Sequence, residues 1–162
     1  MAATTGKRSA VVTLPSDTEV LITRVFDAPR DLVFRAWTTP ELIAKWWHAN
    51  RGEVTSVEVD LRPRGRWRYV MGAHGGFEVG FHGEFREVVR NSQLVGTEVF
   101  EGAPEAEAVT TTTFAEADGR TTVSILVERQ NKRFRDMHLE TGMEDGLQDA
   151  LDLLEALAAD LR

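Results

Sequence analysis

Residues 18–47 read TEVLITRVFDAPRDLVFRAWTTPELIAKWW. Thr18 to Phe26 is rich in Val, Ile and Thr, which suit an extended strand. Asp27-Ala28-Pro29 then starts a helix, because proline is tolerated at the first helical position. This helix runs to about Thr38 and sets Val33, Ala36 and Trp37 on one face. Thr39-Pro40-Glu41 restarts a second short helix, with Thr39 in the N-cap position. It ends near Trp46-Trp47. The chain therefore opens with a strand followed at once by two short helices.

Beyond Trp47 the apolar period changes from helical to two. Val57, Val59 and Leu61 alternate with Ser56, Glu58 and Asp60. Pro63-Arg64-Gly65 is a turn. Trp67, Tyr69 and Met71 form one strand face, and Phe77, Val79, Phe81 and Phe85 the next. Leu94–Phe100, Val109–Phe114 and Thr121–Glu128 complete a meander, with Asp118-Gly119 as a hairpin signal. Met143, Leu147, Ala150, Leu151, Leu154, Ala158 and Leu161 then form one apolar stripe. The pattern predicts a helix from about Phe134 to Leu161, roughly 40 Å long. An antiparallel sheet with one apolar face needs a cover, and this helix is the only large one. The expected architecture is α+β: a curved antiparallel sheet wrapped around a long C-terminal helix. Residues 1–17 read as a weakly ordered lead-in, and 18–162 as the single domain.

Bulk properties narrow the function. The chain has 162 residues, 42% hydrophobic and 28% charged, as expected for one globular domain. With no cysteine, disulfides and thiolate metal sites are excluded, and a cytoplasmic location is expected. A formal charge of −7 disfavours a nucleic-acid surface. No apolar run approaches a membrane span. The four histidines, His48, His74, His82 and His138, lack metal-site spacing, so neither a metal nor another cofactor is expected.

Several stretches resemble the START-like SRPBCC superfamily. They are Arg24 to Arg30, Val33 to Thr38, Pro40-Glu41-Leu42 and the Trp46-Trp47 pair. Asp60 to Trp67, His82 to Val88 and Gly142 to Gly146 are similar to the branch named after the C-terminal domain of activators of the heat-shock protein 90 ATPase. The resemblance covers about residues 14–160 and implies the helix-grip fold. It does not imply one activity, because functions are grafted onto folds. Arg64 and His48 stand where that branch commonly has glycine.

A curved sheet gripping one helix often leaves a gap that takes a small apolar ligand. The expected lining is Trp37 and Trp46 from the short helices, then Trp67, Tyr69, Met71, Phe77, Phe81 and Phe85 from the sheet. Met143, Gly146, Leu147, Ala150, Leu151 and Leu154 would close it from the terminal helix. The same periodicity describes a filled core, and periodicity does not separate the two. Gly142 and Gly146 mean either that the helix starts after Gly142 or that something packs closely there. His82 with Glu84 is expected on the outer surface, as are Arg62, Arg64, Arg66 and Arg68. No residue is assigned a catalytic role.

Three functions follow in order. The first is binding of a small hydrophobic or lipid-like ligand. The second is a cyclase- or hydrolase-like enzyme, which a buried acid–base pair in the cavity would favour. The third is a co-chaperone-type interaction domain. The homologous activators use an additional N-terminal domain, whereas only the lead-in precedes this fold, so no stimulation of the chaperone ATPase is expected. The oligomeric expectation is a monomer or homodimer.

Overall fold

The computed structural model describes residues 10–162. The first nine residues of the expected lead-in lie outside the described residues. Its remainder contains a short strand, β1 (Val11–Thr13), paired antiparallel to β2 (Glu19–Phe26). Two short helices follow, α1 (Arg30–Thr38) and α2 (Pro40–Trp46). The meander then comprises β3 (Gly52–Val59), β4 (Arg66–Ala73), β5 (Glu78–Val89), β6 (Gln93–Phe100), β7 (Ala108–Ala117) and β8 (Arg120–Glu128). The helices α3 (Lys132–Glu140) and α4 (Met143–Asp160) end the chain. The strands form one sheet in the order β1-β2-β8-β7-β6-β5-β4-β3, antiparallel at every pairing. The expected helix-grip α+β architecture is present.

Both sheet edges reach the helices, which requires strong curvature. At one edge α2 packs on β3. At the other, Gln148 of α4 accepts from Ala10 N at 3.0 Å and donates to Ala10 O at 2.8 Å. Directly opposed residues share a face, so the register identifies the inner one. Val20, Ile22, Arg24 and Phe26 of β2 continue into Val123, Ile125 and Val127 of β8. From there the face runs through Thr110, Thr112 and Phe114 of β7 to Leu94 and Gly96 of β6. Tyr69 and Phe81 lie opposite each other further along. Phe114 meets the rings of Phe34 and Trp37 at 5.2 and 5.6 Å, so this face looks toward the helices.

The single long helix expected from Phe134 to Leu161 is two helices. Gly142 has φ 75°, a left-handed conformation that ends one helix and admits the next. Of the two explanations for the glycines, a helix beginning after Gly142 is the one realised. At 18 residues, α4 is about 27 Å long. Its Leu151, Leu154 and Ala158 join Val20, Ile22 and Phe26 in the buried core. Thr39 occupies the N-cap of α2 without a side-chain capping bond. Asp118 and Gly119 both have positive φ, 55° and 76°, as a two-residue hairpin of the primed type needs. Arg64 adopts φ 70°, so the glycine conformation of the resembled turn is kept by a residue that strains to hold it.

Candidate functional site

The expected lining residues divide into three groups. Trp46, Phe85, Ala150, Leu151 and Leu154 belong to the packed core. Trp46 donates its indole N–H to Ala36 O at 2.9 Å, which fixes it as a core residue. Trp37, Trp67, Tyr69, Met143 and Leu147 are partly buried and packed against that core. Phe77 is separate: it lies in the turn before β5 and is 61% exposed. Met71 sits opposite Val79 toward the same end of β4. Gly146 faces the guanidinium of Arg51, which a Cβ there would meet at 3.8–3.9 Å, rather than the sheet.

Trp47, outside the expected set, is the ring that meets β4 and β5 from the end of α2. It stands 5.4 Å from Tyr69 and 5.7 Å from Phe81, edge to face with both. Adjacent helical residues diverge by about 100°, so burial of Trp46 in the core turns Trp47 toward the sheet. Trp67 continues this aromatic row at 4.8 Å from Tyr69.

Beside these rings lies a set of polar side chains. Glu98 of β6 is opposite Ala108 of β7. Arg129 follows Glu128, which pairs with Val109, so it flanks Ala108 from the other side. Glu98 and Arg129 thus approach over one small buried residue. Burial raises the Glu98 carboxyl above its usual range, and Arg129 offsets part of that rise. Burial likewise lowers Arg129, with Glu98 opposing. Tyr69 is pushed up, first by burial and then by Glu98. His138 of α3 is held down to about 4 by burial and by the charge of Arg129, so its ring is neutral at pH 7. Thr110 lies between Gly96 and Val127 on the same face.

Three buried atoms of this set have no hydrogen-bond partner: Thr110 Oγ1, Arg129 Nε and His138 Nδ1. The other two such atoms among the described residues both belong to Arg24. Each buried unsatisfied group costs roughly 1–3 kcal/mol. The link between this set and the aromatic row is Glu98, whose charge is felt by both Tyr69 and Arg129.

The outer face carries ordinary solvated charge. His82 Nδ1 lies 2.8 Å from Glu101 Oε2, and Arg68 Nε donates to the same carboxylate at 2.9 Å. Arg68 and His82 hold Glu101 down to about 2. His82 is therefore on the outside, as expected, but its partner is Glu101 rather than Glu84. A depression of about 480 Å³ at the Trp67 end of β3, β4 and β5 has Glu58, Arg68 and His82 from this face along one wall and also reaches Trp67 and Gly83 of the other face. A second, of about 430 Å³, lies on the solvent side of α3. Neither is between the sheet and α4. His48 is a turn residue whose Nδ1 accepts from Asn50 N at 2.9 Å. No helix of the described residues is long and apolar enough to cross a membrane.

Sequence reasoning named none of Trp47, Glu98, Thr110 and Arg129 as lining, and it left His138 among scattered histidines. A signal existed for Glu98: it shares strand parity with Leu94 and Gly96. However, the opposite parity holds Val95 and Val99, so neither face of β6 reads as inner.

Comparisons with known proteins agree with this architecture. A crystal structure of a protein from Rhodobacter sphaeroides superposes with a TM-score of 0.88 at 20% identity, covering 94% of this chain and 99% of that one. One from Nitrosomonas europaea gives 0.82 at 24% identity, covering 91% and 98%. Another from Chromobacterium violaceum gives 0.74 at 26% identity, covering 88% and 98%. No curated protein matches the chain significantly. Residues 27–159, most of the helix-grip domain, match the family described as Activator of Hsp90 ATPase homolog 1-like protein, and the chain belongs to that family.

Proposed function

We propose that this protein binds a small amphipathic molecule against the inner face of its sheet. The apolar body lies on Trp47, Tyr69 and Phe81, and the polar end meets Thr110, Arg129 and His138. The observation that carries this reading is the set of three buried, unpartnered polar atoms, tied to the aromatic row through Glu98, which acts on both Tyr69 and Arg129. Such atoms are normally paired in a folded protein, and a ligand head would pair them. Buried water is the competing partner.

Native mass spectrometry of protein purified without added ligand separates the two. An adduct lost on denaturation, together with quenching of tryptophan fluorescence by added amphiphiles, is the expected result. An unadorned mass and no fluorescence response to any amphiphile would leave water as the partner and overturn the reading.

A second reading, acid–base chemistry on the bound molecule, is favoured by one observation. A carboxyl raised above its usual range by burial and a neutral imidazole both interact with Arg129. It expects the molecule recovered from Glu98→Gln to differ in mass from that recovered from the wild type. Identical recovered molecules would remove this reading and leave the first intact.

A further inference from the structure

We infer that the polar end takes a carboxylate: the bound molecule is a monocarboxylic amphiphile whose head lies on the Nε–Nη2 edge of Arg129. This rests on the ligand-binding reading above and deepens it.

The argument starts from how Arg129 is held. Its Nη1 donates to Ala106 O at 3.0 Å, which anchors one corner of the guanidinium. Nε is buried without a partner. Among the described residues, no carboxylate lies within ion-pair distance of Arg129, and Nη2 makes no hydrogen bond within the protein. What remains is one whole edge of a planar fork, two parallel N–H donors on a fixed frame. That edge matches the two oxygens of a carboxylate. An alcohol or ketone would engage a single donor and leave the other unmet.

Charge narrows the class further. Arg129 is the cation of this cluster, because His138 is held neutral. One positive charge balances a monoanion and leaves a phosphate dianion undercompensated. An ammonium head would be repelled. Glu98 does not occupy the fork: it stands one strand away across Ala108 and makes no hydrogen bond or ion pair to Arg129. Once protonated, it can donate to an incoming carboxylate. Thr110 Oγ1 supplies another hydroxyl on the same face. The aromatic row from Trp47 to Trp67 sets the apolar character of the rest of the molecule.

The test compares decanoate with 1-decanol on the full chain by calorimetry, for the wild type, Arg129→Gln and Arg129→Lys. The wild type should prefer decanoate by about tenfold or more. Arg129→Gln should lose that preference while keeping its affinity for decanol within about threefold, and Arg129→Lys should keep only part of it. A second measurement needs no variant. Decanoate labelled with carbon-13 at the carboxyl should titrate, when bound to the wild type, at lower pH than when free. Equal binding of acid and alcohol, or a preference that survives Arg129→Gln, would overturn the carboxylate assignment and leave the ligand-binding reading standing. An upward shift of the bound carboxyl would do the same. Failure of both probes to bind would overturn both.

Discussion

Two arginines stand on the inner face of the sheet, and the fold treats them differently. Arg24 on β2 is 2% exposed. Its Nη1 lies 2.7 Å from Asp152 and its Nη2 donates to Glu155 at 3.1 Å, both residues of α4. Its guanidinium also stands 5.2 Å from the Phe26 ring. Arg129, past the end of β8, has a backbone carbonyl and no carboxylate. Each keeps an unpartnered Nε, so hydrogen bonds alone do not separate them. Charge compensation does. Around Arg24 the protein completes its own electrostatics, and the long helix is latched to the sheet there. Around Arg129 the one carboxylate whose charge it feels, Glu98, stands a strand away, and burial works against the charged forms of Glu98 and His138. On one half of the inner face the arginine is held by carboxylates of α4, while on the other it is held by a backbone carbonyl.

Removing a partner on the finished side should have the largest effect. Glu155 also accepts from Asp27 N at 2.9 Å. Glu155→Ala leaves a buried guanidinium undercompensated and should cost about 3–5 kcal/mol in urea unfolding. A loss under 1 kcal/mol would mean that Asp152, at the solvent edge, suffices alone.

The next effect belongs to the other side and appears on acidification. The folded His138 takes its proton only near 4, the unfolded one near 6.5. Between those values the unfolded chain binds more protons, so stability rises with pH there and is lost as pH falls. The loss attributable to His138 should be on the order of 3 kcal/mol by pH 4. Glu98 has the opposite sign: its raised value favours the folded state at low pH, and that contribution fades as pH rises through its folded value. Unfolding midpoints for wild type and His138→Gln across this range isolate the histidine. Parallel curves would remove His138 from the interior.

Helix α4 offers a paired test of packing. Ala150 is in the buried core, whereas Gly146 faces Arg51 with room for ordinary contact. Ala150→Leu should cost typically 1–3 kcal/mol by overpacking. Gly146→Leu should hold or gain on the order of 1 kcal/mol from helix propensity. If both variants lose stability equally, the inner face is uniformly filled and the contrast fails.

The smallest effect is expected at Arg129 itself. Arg129→Met in ligand-free protein removes a half-buried charge that only Glu98, a strand away, offsets, along with one hydrogen bond to a carbonyl. Urea unfolding should change by less than about 1 kcal/mol in either direction. A loss as large as that of Glu155→Ala would make the two arginines equivalent.

Much of the fold was legible because it follows from short-range rules. Residues 18–47 carry strand propensity, then a proline at a helix start, and the structure has β2, α1 and α2 there. The Asp118-Gly119 turn needed only the tolerance of those residues for positive φ. The break at Gly142 was visible as a glycine but not decidable, since an isolated glycine is also tolerated within a helix. The site was less legible. Trp46 and Trp47 are chemically identical, and only the direction in which α2 meets β3 decided which is core and which meets Tyr69.

The sequence by itself determined the alternation of strands, the apolar stripe of α4 and the absence of thiol chemistry, because each depends on residue type and near neighbours. Tertiary structure alone decided that Glu98, Thr110, Arg129 and His138 share one place. They come from two adjacent strands, the end of a third and a helix, spread over 41 positions of the chain. Strand pairing sets Glu98 and Arg129 on either side of Ala108, and packing of α3 sets His138 beside them. Whether a charged residue is solvated or buried depends on that pairing and curvature. For the same reason Arg24 has two carboxylates and Arg129 has none, a difference written in the path of α4 rather than in the residues flanking either arginine.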